Sequence, residues 1–130
     1  MDPKRFAAFG GKVNDIMHQI YEHLHIAKIR GERIVAHGSS AKFVTLTNYG
    51  HIGSDFIEYV ADSTVAKHGK VTPGMGIPVV SEEKLLKDAP DVIFNGIRNF
   101  YAQNEEKYNM IKKRNPKAKI LMPIPEVSYR

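Results

Sequence analysis

The 130-residue sequence contains no cysteine. Without a thiol there is no disulfide, no thiolate nucleophile and no cysteine-based zinc site, a composition that suits a reducing interior. Long hydrophobic runs are missing too. None approaches the roughly 18 residues a membrane span requires, and Met1–Arg5 is followed by no signal-peptide apolar region. These absences predict a soluble, cytoplasmic protein. Also absent are G-x-x-x-x-G-K-[ST] and G-x-G-x-x-G, the two commonest phosphate-cradling patterns. No zinc finger, basic zipper or RNA-binding sheet signature accompanies the formal charge of +5. The basic run Lys107, Lys112, Lys113, Arg114, Lys117 and Lys119 therefore reads as the solvated face of a surface helix. The charge implies a leaning toward phosphate-bearing small molecules, with nucleic acid and membrane disfavoured as partners.

What is present is an orderly alternation of two periods. Apolar residues at Phe6, Phe9, Val13, Ile16, Ile20, Leu24 and Ala27 fall in steps of three and four, which predicts a long amphipathic helix over 1–31. Gly31 is its stop signal, with Lys28 and Arg30 in the last turn where positive charge suits the helix dipole. After Gly31 the texture changes. IVAH (34–37), DFIEYVAD (55–62), DVIFN (91–95) and KILMP (119–123) are short, apolar and largely β-branched or aromatic, as strands are.

Helical segments lie between them. Ser81 is placed to cap SEEKLLKDA, with Glu82 and Glu83 in the first turn and Leu85 and Leu86 facing inward. A second helix from about Phe100 to Arg114 carries Tyr101, Tyr108 and Ile111 on one side and stops at Asn115-Pro116. Strand and helix alternating at this spacing predict a single α/β domain over 1–130: a small Rossmann-like parallel sheet flanked by helices over 32–130, preceded by the long N-terminal helix.

In such sheets ligands collect beyond the carboxyl ends of the strands, where helix N-termini present free N–H groups. The loops at that edge are His37 to Lys42, Asp62 to Gly76, Asn95 to Tyr101 and Pro123 to Glu126. In the first, Gly38 permits close backbone approach, Ser39 and Ser40 add hydroxyls, and Lys42 enters the first helical turn. The same residues also suit a plain strand-to-helix turn with a serine cap. Asp62 closes the second strand, where Rossmann domains often hold a ribose hydroxyl. It reads equally as a surface aspartate.

His37 and His68 fall in or beside this edge and are the candidate acid or base groups. His18, His23 and His25 have spacings of five and two, which do not put two imidazoles on one helix face, so no metal site is expected. Taken from the residues alone, the chain is a soluble α/β domain that binds a small anionic ligand.

Three segments together carry a family resemblance: GSSAKFVTLTNYG (38–50), IEYVADSTVAKHGKVTPGMGIPVVS (57–81) and KILMPIPEV (119–127). They resemble the C-terminal domain of the sugar C-methyltransferases that act on nucleotide-linked keto-deoxysugars. The Lys67-x-Gly69, Thr72-Pro73-Gly74 and Ile77-Pro78 string is the most specific part. The resemblance implies a Rossmann-like domain that helps hold the nucleotide-sugar, in enzymes whose other parts are a cysteine-rich zinc domain and an S-adenosylmethionine-binding domain. Only the Rossmann-like part is expected here, so methyl transfer by this chain alone is not, and S-adenosylmethionine enters only with a separate methyltransferase subunit. Contact with ligand is implied for Gly38, Ser39, Ser40, Lys42, Asp62, Lys67, Thr72, Pro73, Gly74 and Asn99, with Arg98 as an added phosphate contact.

Two departures stand out. Phe43 replaces the family's usual glycine and is expected to crowd the turn, and Arg98-Asn99 replaces a tryptophan-asparagine pair. Three functions follow as expectations: a nucleotide-sugar-binding accessory domain or subunit, an enzyme using His37 or His68 on a sugar or nucleotide, or a structural or interaction protein that kept the fold and lost the site, its N-terminal helix packing on its own sheet or pairing with a second copy.

Overall fold

The computed structural model describes the backbone of residues 3–95, 100–122 and 128–129, and the side chains of residues 15–95 and 104–122. In chain order the elements are α1 (Pro3–Ile29), β1 (Ile34–His37), α2 (Ala41–Gly50), β2 (Val60–Ala61), β3 (Val79–Val80), α3 (Glu82–Asp88), β4 (Val92–Asn95), α4 (Phe100–Arg114), β5 (Lys119–Met122) and β6 (Ser128–Tyr129). The sheet order is β3-β2-β1-β4-β5-β6. The first five strands run parallel, and β6 closes one edge antiparallel. The direction of winding reverses between β1 and β4, whose carboxyl ends are His37 and Asn95.

Strand alternation divides the core in two. Ile34, Ala36, Val60, Val92, Phe94 and Leu121 point to the face covered by α1 and α2. Val35, Ala61, Ile93, Ile120 and Met122 point to the face covered by α3 and α4. This period-two division puts apolar side chains on both faces, so central parallel strands read as continuous apolar runs.

The described part of the expected N-terminal stripe is its second half, where Met17, Ile20, Leu24 and Ala27 are buried against the chain's own sheet. Phe6, Phe9 and Val13 lie outside the described side chains. Ile20 is therefore committed to the core, and charge placed there would unfold the domain rather than yield a folded monomer. The helix ends as its residues predict, with Gly31 N–H bonding Lys28 O and Glu32 N–H bonding Ala27 O.

Three local expectations need correction. The strand expected over 55–62 is confined to Val60–Ala61, because Phe56 and Ile57 N–H groups bond back to Gly53 O in a turn. Ile57 still buries fully, which is why its apolar pattern resembled a strand. Ser81 occupies the N-cap position of α3, but its side chain makes no capping bond. The segment 61–78 contains more order than its composition suggests: a 3-10 turn at Val65–Lys67, then residues 69–72 pairing back onto 77–79. That return covers the outer edge of β3, an edge that would otherwise expose unpaired backbone.

The charge cluster at the far end of α4 is partly internal. Lys107 bonds both carboxylate oxygens of Glu82, Arg114 donates to Leu86 O at 2.6 Å, and Lys119 approaches Glu32 at 3.7 Å. Among the described residues no helix is long and apolar enough to cross a membrane.

Candidate functional site

The site is built from the turn that follows β1. Gly38 takes φ +90°, a left-handed conformation that glycine adopts without steric cost, and its N–H bonds Ala61 O at 2.8 Å. Ser39 is thereby carried over the end of β2, where both its N–H and its hydroxyl donate to Asp62 Oδ2, at 2.9 and 2.6 Å. Asp62 Oδ1 accepts from Thr64 N–H at 2.8 Å. Both carboxylate oxygens thus brace the two loops against each other. Burial works to raise the Asp62 pKa, but the hydrogen bonds from Ser39 and Thr64 outweigh it and hold the carboxyl well below its usual range. Asp62 stays ionised.

Ser40 is the N-cap of α2, its hydroxyl accepting from Phe43 N–H at 3.2 Å. Lys42 lies exposed in the first turn. Lys67 reaches back across the loop, its ammonium 3.3 Å from Ser39 O, 3.4 Å from Ser39 Oγ and 3.8 Å from Asp62 Oδ2. His68 donates from Nε2 to Asp62 O at 2.6 Å.

Phe43 does not crowd this turn. Its side chain is fully buried on the opposite side of α2 and meets Phe94 edge-on at 5.8 Å. At the third helical position it has rotated away from the cap and toward the sheet, so a large residue there fills core and leaves the turn open.

The Thr72 to Pro78 string has a structural reason. Thr72 is buried, its hydroxyl accepts from Ile77 N–H at 3.0 Å, and its backbone exchanges a further bond with Ile77. Asn48 of α2 donates to Pro73 O at 3.0 Å. Gly74, at φ +85°, sits so close to the Asn48 amide that a Cβ would overlap it. Gly74→Ala is expected to cost about 1–3 kcal/mol, read as a lower urea midpoint with unchanged slope.

Between α2 and this loop lies a cavity of about 510 Å³, within the size range of small-molecule sites. Ser39, Val44, Lys67, Thr72 and Pro73 are among its walls. Of the residues expected to bind ligand, the cavity brings together Ser39, Lys67, Thr72 and Pro73. Gly38, Ser40, Asp62 and Gly74 shape the loops around it, and Lys42 projects from the same helix end. Arg98, Asn99 and the 123–127 loop lie outside the described residues. A second cavity of about 420 Å³ is lined by one face of α4, including Glu105, Glu106 and Met110, away from the strand ends.

His37 falls on the other face of the sheet. It is fully buried, with Nδ1 2.8 Å from Tyr108 Oη and Nε2 2.6 Å from Glu82 Oε2. Lys107 completes the group at 3.0 Å from both Glu82 oxygens. Burial lowers the His37 pKa, against the upward pull of the Glu82 carboxylate. Glu82 is itself held low: burial works against ionisation, but bonds from His37 and Lys107 prevail. Both ring nitrogens are engaged within the protein, so this histidine ties β1 to α3 and α4. Nothing in the residue pattern linked Glu82, Lys107 and Tyr108 to it, since they come from separate elements.

The sequence profile of the C-methyltransferase C-terminal domain family matches residues 1–125. The chain belongs to that family. Comparison with curated proteins gives no match. In this C-methyltransferase C-terminal domain, Pro73 and Gly74 lie against Asn48 of α2, and Thr72 and Ile77 hold the loop closed behind them.

Proposed function

We propose that this domain binds a nucleotide-sugar or a related phosphorylated small molecule at the carboxyl edge of its sheet, and serves sugar modification as an accessory or separate subunit. The observation that carries the reading is the cavity beside the start of α2, with Ser39 and the half-exposed Lys67 in its walls. The first N–H groups of α2 carry partial positive charge, and Lys42 in that turn adds a full one. Together they suit a phosphate group. Membership of a C-methyltransferase C-terminal domain family supports a sugar-modifying context. The domain contributes ligand holding, and methyl transfer with S-adenosylmethionine would fall to a methyltransferase domain or subunit.

Titration of the intact chain with nucleoside diphosphates, nucleotide-sugars and S-adenosylmethionine tests this by calorimetry and thermal shift. A ligand that binds only the folded state raises stability by mass action, about 2.7 kcal/mol at a hundred times its dissociation constant. The expected result is stabilisation by a nucleotide-sugar, diminished by salt and by Lys42→Ala. Silence across the panel removes the proposal.

A further inference from the structure

The cavity beside α2 has a chemical asymmetry that phosphate binding leaves unused. Ala41, Val44 and Thr45 form one stripe along α2, at i, i+3 and i+4, and face the cavity instead of packing under the sheet. Across from them stand Val71 and Pro73, with Val79 beneath. Val71 is 60% exposed, and Val79 is buried. Apolar side chains thus line both walls of a surface cleft that no described part of the chain fills.

Among the described residues two cations stand at this cleft, Lys67 and Lys70, and no carboxylate lines it. Their situations differ. Lys67 is engaged by Ser39 and lies 3.8 Å from Asp62. The Lys70 ammonium makes no ion pair among the described residues. The backbone of Lys70 is nonetheless fixed, because its N–H bonds Lys67 O and its carbonyl accepts from Val79 N–H. A lysine on an anchored backbone, beside an apolar cleft and short of a counter-charge, is complementary to an anion that carries a hydrophobic body.

We infer that the cleft between α2 and residues 67–73 is a subsite for an amphiphilic anion, its apolar group seated between Val44 and Val71 and its negative group paired with Lys70. This rests on the anionic-ligand reading above and deepens it. The organic part of the ligand contributes to recognition here, and Lys70 and Val71 determine specificity. A hydrophilic anion satisfies only half of the site.

The test uses three probes with the intact, isotopically labelled chain: 1-naphthyl phosphate, inorganic phosphate and 1-naphthol. Amide shifts in nitrogen–proton correlation spectra report the location and affinity of each. Naphthyl phosphate is expected to bind at least tenfold more tightly than either half alone, with shifts centred on Val44, Thr45, Lys70 and Val71. Lys70→Glu should weaken it tenfold or more, and Val71→Asp likewise. Both positions are exposed, so the variants should melt close to the parent protein, which a thermal scan checks.

Equal binding of phosphate and naphthyl phosphate around residues 39–42, untouched by either variant, overturns the subsite and leaves the anion-binding reading standing. Naphthol binding as well as the phosphate ester overturns the role of Lys70. No binding of any probe, together with silence toward nucleotide-sugars, overturns both.

Discussion

Glu82→Ala is expected to destabilise the folded chain by about 1–3 kcal/mol, the range for leaving a buried hydrogen-bonding group without its partner. The carboxylate is only 17% exposed and is shared between His37 Nε2 and Lys107 Nζ. Removing it takes a hydrogen-bond partner from a fully buried imidazole and the counter-charge from a lysine. Lys107 is 39% exposed and can turn to water, which keeps the loss within this range. Glu82→Gln should lose less, because the amide can still meet one nitrogen of His37. Chemical denaturation of the three proteins at pH 7.5 measures the differences.

The same group makes stability fall in acid. His37 is held below its ordinary pKa of 6.5 by burial, so the unfolded chain binds more protons than the folded one as pH drops past that value. Stability is therefore full above about pH 6.5 and declines below it. Glu82 and Asp62 are both held below their ordinary values of 4.5 and 3.8, so their stabilisation is present above those values and is lost at lower pH. All three shifts act in one direction. A urea midpoint that rose between pH 7 and pH 4 would show the assignment of charges to be wrong.

Phe43→Ala should be still more damaging, at about 3–5 kcal/mol, the usual cost of truncating a buried phenylalanine. The ring is fully buried between α2 and the sheet and meets Phe94 edge-on. Neighbours on α1 and β1 are themselves close-packed, so the space would not readily collapse. Binding at the turn should survive in whatever fraction stays folded, since Phe43 faces away from it. A variant that folds normally but loses ligand would instead place Phe43 at the site.

Glycine at this position, the usual residue in the resembling family, makes the point sharper. Read along the sequence, a phenylalanine after Ser39, Ser40 and Lys42 falls within a ligand-binding turn. In three dimensions, one residue of helix rotates a side chain by about 100 degrees, and the third helical position already faces the core. Proximity in sequence to the site therefore said little about which face Phe43 occupies.

The strands beginning at Ile34, Val92 and Lys119, the helix from Phe100 to Arg114 and the stop at Gly31 were all legible from the residues, because each depends on local periodicity or backbone chemistry. The short extent of β2 within the strand expected over 55–62, the strand β3 and the antiparallel β6 were not legible in that way. Ladders so short carry no period, and long-range pairing decides where they form. Of the candidate site, the sequence indicated the loops, since Ser39 of the glycine-serine turn and Lys67 of the lysine-bearing loop do line one cavity.

Its internal assignments came only with the tertiary structure. Asp62, separated from Ser39 by 23 positions, turns its carboxylate to bracing the turn. His37 and Glu82 are 45 positions apart, and their contact buries the histidine on the face away from the cavity. The sequence by itself determined the longer elements and which loops lie at the carboxyl edge, because those follow from local period, caps and strand direction. Only the tertiary structure decided which polar groups spend their hydrogen bonds on one another and which, like Lys70, face an apolar cleft, because that depends on partners distant in the chain.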